Sequence, residues 1–259
     1  MRLLLLATVL IGWNTPLAGA AVKTRTVEYE YNGTKLKGFL AWDDAVQGKR
    51  PGILIVHEWW GLNDYVRRRA EQLAGLGYVA FASDMYGDGK VTEHPQEAGQ
   101  FAGEVRKNIQ LWQGRAKAGL KVLQEHELVD PKRLAAIGYC FGGSTALELA
   151  YTGADLKAVV TFHAALPMPS EEQAKAIKAR LLINHGADDS FVPAETIQKF
   201  KAALDQAKVD YQFISYPGAV HSFTVKGSDE KGLKGMAYNQ EADKKSWKAM
   251  LDLFNQVFK

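Results

Sequence analysis

Gly138-Tyr139-Cys140-Phe141-Gly142-Gly143 decides how this 259-residue chain is read, because it joins an apolar strand, Leu134 to Tyr139, to a helix that begins at Phe141. Glycines stand two residues before and two after the cysteine. They let the backbone of a sharp strand-to-helix turn pack close without a Cβ, and such a turn holds its apical residue in a strained conformation with the side chain presented outward. Cys140 is the only cysteine in the chain. The commonest reading of a lone cysteine is a small buried hydrophobe, so its surroundings must decide between burial and reactivity.

Outward from this turn, short apolar runs alternate with helix-length segments. Residues 24–31 and 35–42 alternate polar and apolar about Asn32-Gly33, the strongest short-range hairpin signal. Strands are then expected at 52–56, 79–82, 134–139, 156–162, 180–185 and 210–216. Helices are expected at 64–76, 97–126, 141–151, 171–178, 194–207 and 238–258. Apolar strands of this length alternating with helices specify an α/β fold, a mostly parallel central sheet with helices on both faces. Ligands of such sheets bind beyond the carboxyl ends of the strands, so the chemistry should lie just after strands.

The composition, 47% apolar and 24% charged, is that of an ordinary globular protein, and residues 21–259 read as one domain without repeat, low-complexity tract or linker. A formal charge of +3 with no basic run interleaved with aromatics argues against a nucleic-acid partner, and Arg67-Arg68-Arg69 reads as a solvated helix face. Met1-Arg2, the apolar run Leu3 to Ile11 and Ala18-Gly19-Ala20 have the form of a secretory signal peptide. The run is well short of the ~18 apolar residues that span a bilayer. Residues 1–20 are therefore expected to be removed, leaving an exported chain from Ala21, periplasmic or secreted and free of the membrane. The other reading is an uncleaved anchor. One cysteine allows no internal disulfide, and a lone thiol outside the cytoplasm is a liability unless it is used. A monomer or small homo-oligomer is expected.

A helix N-terminus favours a thiolate at Cys140 through its unpaired N–H groups and macrodipole. Ser144, one turn into the helix, is the competing nucleophile but lacks the strained turn. An ordinary thiol is only a few per cent ionised at neutral pH, so a nearby base would help it react. His221, in the loop Gly218 to Phe223 after the last strand, is the favoured base, with His163 second. His57 and His185 end strands and are read as shaping the site. The imidazole needs an acceptor on its other nitrogen. Spacing in Gly186-Ala187-Asp188-Asp189-Ser190-Phe191-Val192-Pro193 favours Asp189, with Asp188 left to solvent or the loop backbone. The order 140, 189, 221 is that of an α/β-hydrolase triad. Donors for an oxyanion are expected from the backbone N–H of Phe141 and from the loop after residues 52–56, through Trp59. No histidine pair has helical ligand spacing, so no metal is expected, and no cofactor is implied.

Five segments together resemble the dienelactone hydrolases, α/β-hydrolases in which cysteine replaces serine: His57 to Asn63, Asp84 to Gly87, Gly138 to Gly143, Asp189 to Pro193, and His221-Ser222-Phe223. The resemblance covers nearly all of residues 21–259 and implies a triad of Cys140, Asp189 and His221. It adds Glu58, matching a family glutamate that contacts the resting thiol and helps activate it when substrate binds. It also implies hydrolysis of an enol-lactone to maleylacetate through an acyl-enzyme. Trp60, Tyr86, His163 and Phe223 are expected to line the substrate pocket. Where family members carry a carboxylate-binding arginine, four residues after the histidine, this chain has Val225. The aromatic bulk of Trp59 and Trp60 suggests a less polar acyl pocket. The expected function is an exported cysteine hydrolase of an ester or lactone. The alternatives are a noncatalytic small-molecule binder or covalent scavenger, and thioester or peptide hydrolysis on the same triad.

Overall fold

Asn32 and Gly33 both take positive φ, 47° and 74°, the backbone that a two-residue hairpin turn of matching twist demands. In the computed structural model they join β1 (Val22–Tyr31) to β2 (Thr34–Asp43), with Tyr31 opposite Thr34 in the antiparallel register. The structure describes residues 22–259; the signal peptide expected over residues 1–20 lies outside the described residues. Beyond the hairpin come β3 (Arg50–Val56), α1 (Asp64–Ala74), β4 (Val79–Ser83), α2 (Pro95–Arg106), α3 (Ile109–Gln124), β5 (Val129–Tyr139) and α4 (Phe141–Tyr151). They are followed by β6 (Ala158–Phe162), α5 (Glu171–Ala176), β7 (Arg180–Gly186), α6 (Ala194–Gln206), β8 (Tyr211–Tyr216) and α7 (Gln240–Val257). One sheet holds all eight strands in the order β1-β2-β4-β3-β5-β6-β7-β8. The first three in that order are joined antiparallel and every later pair is parallel.

Strand periodicity sorts the side chains into two cores. Leu54 and Val56 of β3 face the layer of α2, α3, α4 and α6, whereas Ile53 and Ile55 face α1 and α7. The same alternation puts Ala136 of β5 in the first core and Ile137 in the second. Burial on both faces is why these strands read as unbroken apolar runs.

Three details depart from the sequence reading. The single helix expected over 97–126 is two, because Asn108 turns extended and its side chain accepts the N–H of Leu111, capping α3. Strand β5 begins at Val129, earlier than expected, because Val129 pairs with Arg50 across a register shift in β3. Arg69 is not solvated: it is buried between Thr224 O at 3.2 Å and the Asp243 carboxylate at 2.5 Å. A buried guanidinium persists only when paired in this way.

Candidate active site

At the tip of β5 the chain reverses into α4 with Cys140 at φ 53° and ψ −114°, a conformation that costs a non-glycine residue about 1–3 kcal/mol. The flanking glycines are sterically required. A Cβ on Gly138 would lie 2.0 Å from the carbonyl oxygen of Gly142, and one on Gly142 would lie 2.1 Å from that of Val56. The Cys140 N–H donates to Phe162 O at 3.0 Å, which ties the turn to the neighbouring strand. His163 and Ser222 also have positive φ, 43° and 57°, so backbone strain gathers around this one place.

Three side chains from three strand ends meet there. His221 Nδ1–H donates to Asp189 Oδ2 at 2.8 Å, and His221 Nε2 lies 3.1 Å from Cys140 Sγ. The second oxygen of Asp189 accepts the Phe191 N–H at 3.0 Å, which fixes the carboxylate by two bonds. Asp188 is exposed; its backbone N–H goes to Ala219 O and its side chain takes no part. Burial alone would push the His221 pKa down. The Cys140 sulfur and the Asp189 carboxylate overcome this and push it up to about 10. The imidazolium form is thus favoured beside the sulfur at neutral pH.

The other candidates sit differently. Ser144 is buried and its hydroxyl donates to Ala165 O at 2.5 Å, which turns it away from any substrate. His163 is buried behind His221, with ring centroids 5.3 Å apart, and its Nε2 is 2.8 Å from Thr224 Oγ1. Burial, reinforced by His221, holds its pKa well below the ordinary value, so it stays neutral. Glu58 is buried too; Ser222 Oγ donates to it at 3.1 Å and His163 Nδ1 is 4.0 Å away. Desolvation raises its pKa. Among the described residues the sulfur's hydrogen-bond partner is His221, and no Glu58–Cys140 hydrogen bond is present.

The loop after β3 is clamped from beneath. His57 Nδ1–H donates to Glu58 O at 2.5 Å while its Nε2 accepts the Met85 N–H at 3.2 Å, and Tyr86 Oη–H donates to Trp59 O at 3.0 Å. Asp84 in turn accepts four backbone N–H groups, from Lys37, Tyr86, Gly87 and Gly89. The N–H groups of Trp59 and Phe141 donate to no backbone oxygen among the described residues. They are the free donors that a developing oxyanion would need.

A cavity of ≈ 210 Å³ opens over the sulfur, walled by Trp59, Arg106, Cys140, Ala165, Phe191, His221 and Met236. Trp60, Tyr86, His163 and Phe223, expected in its wall, are all buried and none of them lines it. Phe223 and His163 back His221, Tyr86 holds the Trp59 loop, and Trp60 packs on Trp59 with Lys231 over its ring. Val225 likewise lies in the core on the α1 and α7 side. Sequence reasoning missed Arg106, Ala165, Phe191 and Met236. Arg106 enters because α2 ends there, with its guanidinium 5.3 Å from the Phe141 ring centre, and Met236 because residues 221 and 236 pair as an isolated bridge. Among the described residues no cluster of three or more His, Cys, Asp and Glu side chains forms a metal-ligand set.

A family model described as the dienelactone hydrolase family matches residues 36–258. The chain belongs to this family. A solved structure titled m3DLH is 42% identical with a TM-score of 0.90, covering 92% of this chain and 100% of its own. A dienelactone hydrolase-like promiscuous phosphotriesterase from metagenomic libraries is 39% identical with a TM-score of 0.90, covering 93% of this chain and 100% of its own. An Aquifex aeolicus protein provisionally named carboxymethylenebutenolidase is 26% identical over 90% of this chain and 98% of its own. The fold is that of the α/β-hydrolases, and this dienelactone hydrolase-like chain is a hydrolase of ester or lactone bonds.

Proposed function

We propose that the chain is an exported hydrolase in which the Cys140 thiolate attacks the carbonyl of a small or medium ester or lactone and forms an acyl-enzyme that water then releases. The observation that carries this reading is the line Cys140 Sγ–His221 Nε2–Asp189 Oδ2, at 3.1 and 2.8 Å, at the floor of an open cavity. His221 holds the proton beside the thiolate, gives it to the departing oxygen, and takes one from the incoming water; Asp189 fixes its tautomer and stabilises its charge. The N–H groups of Phe141 and Trp59 bind the oxyanion. Glu58 acts from behind the loop, on Ser222 and His163, and its proton affinity suits it to respond when substrate displaces charge at the sulfur.

Export is supported by the composition of residues 1–20 and is checked by N-terminal sequencing of the secreted or periplasmic protein, which should begin at Ala21. Among the described residues no helix is long and apolar enough to cross a membrane. With Val225 in the core, the Arg106 guanidinium in the cavity wall is the side chain placed to meet a substrate carboxylate. The test is a turnover screen of dienelactone against neutral esters and lactones. Hydrolysis of at least one class, abolished in Cys140→Ala, supports the reading. Alkylation of Cys140 without multiple turnover on any of them means a binder or scavenger instead. A second reading, favoured by the 39% identical phosphotriesterase, is attack of the same thiolate on phosphorus in an aryl phosphotriester. Release of aryl alcohol from such a triester, lost in Cys140→Ala, tests it.

A further inference from the structure

The catalytic cavity does not end at its own wall. Arg106, Ala165 and Phe191 are shared with a second, larger hollow of ≈ 360 Å³ that runs past Leu166, Pro167, Val192 and Pro193 to Thr196 at the start of α6. Two of its polar wall groups are already spent. The Ser144 hydroxyl donates to Ala165 O at 2.5 Å, and the Trp112 indole N–H donates to Thr145 Oγ1 at 2.6 Å. What remains facing the hollow is mostly hydrocarbon, with Thr196 at its far end, Arg106 at the junction and Phe191 left 54% exposed on the rim. An uncovered aromatic on an apolar groove that continues a reactive cavity marks a binding surface.

We infer that this groove is a subsite for the apolar arm of the substrate, an alkyl or aryl chain extending from the ester group held at Cys140. The inference rests on the reading of Cys140 as nucleophile and names the substrate class that reading leaves open: esters carrying an extended hydrophobic chain on one side of the scissile bond. The three wall residues shared with the catalytic cavity point to the occupant, since the groove adjoins the sulfur site across Ala165 and a chain leaving the sulfur on that side would lie in it.

Two substrate series separate the arms. One lengthens the acyl chain, from p-nitrophenyl acetate to octanoate, and the other lengthens the alcohol, from ethyl to octyl acetate. In one series kcat/KM should rise by about fourfold for each methylene that enters the groove. Thr196→Trp, at a half-buried position in the first turn of α6 where it lines the groove, should flatten that rise for the longer chains, and Thr196→Val should keep it. The inference is overturned if an enzyme that turns over acetate esters shows no rise in either series, or if the rise survives Thr196→Trp unchanged. Absence of turnover on every ester overturns the hydrolase mechanism itself, and the subsite with it.

Discussion

Asp188 and Asp189 carry the same carboxylate on adjacent residues, and the turn that follows β7 sends one into solvent and the other onto His221 Nδ1 at 2.8 Å. Asp189→Ala should therefore lower kcat by about 10²–10⁴, since the imidazole loses its tautomer and its counter-charge. Asp188→Ala should stay within about twofold, as surface substitutions generally do. Steady-state kinetics on one ester compares them, and equal losses would contradict the assignment. His221 extends the argument to pH. Its folded pKa of about 10 lies above the ordinary 6.5, so the folded state holds a proton that the unfolded chain has released between those values. The stability His221 draws from this site is complete below pH 6.5, declines as pH rises, and is lost above about 10. Denaturant midpoints of the parent and His221→Gln should thus differ most near pH 6 and converge near pH 10. The candidates that meet at the sulfur were legible because each stands just after a strand in a short punctuated loop. The cavity wall was not: Ala165 and Met236 carry no local signal, and only pairing across the loop brings Met236 to the sulfur.

Helix α4 and strand β5 meet at a turn whose geometry permits no side chain at its glycines. Gly142→Ala would press a methyl to 2.1 Å from Val56 O, which is backbone of the central strand and cannot step aside. The substitution should cost about 1–3 kcal/mol or more in urea unfolding and displace Cys140 enough to remove most activity. Stability and activity unchanged together would show that the turn is not built as described. The glycine spacing made this element readable in advance. The opposite held for α2 and α3, where helical periodicity runs through Lys107-Asn108 and hides the break; the one clue is Asn108 itself, a residue at home as an N-cap. That break matters to the site, because it ends α2 at Arg106 and brings the guanidinium to the cavity.

At the scale of the molecule, the sheet carries a large core on each face among the described residues, and the central strands β3 and β5 send side chains into both. Leu54 is fully buried between β3 and the α3 and α4 layer, so Leu54→Ala should cost about 2–5 kcal/mol through lost transfer energy and the cavity left behind. Chemical denaturation measures it, and a cost below that of an exposed substitution would contradict the packing. The alternation of apolar runs and helices was enough to read this architecture, because burial on both faces leaves the central strands few polar positions. The sheet also fixes where chemistry happens: β3, β5, β7 and β8 are parallel, so their carboxyl ends share one edge of the sheet and deliver Glu58, Cys140, Asp189 and His221 from residues far apart in the chain. In the proposed mechanism Cys140 becomes acylated. Mass spectrometry of the protein quenched during turnover of a p-nitrophenyl ester should find the acyl group on the peptide containing Cys140, accumulating further in Asp189→Ala and absent in Cys140→Ala. Hydrolysis that persists in Cys140→Ala, with no acylated peptide in the parent protein, would contradict it.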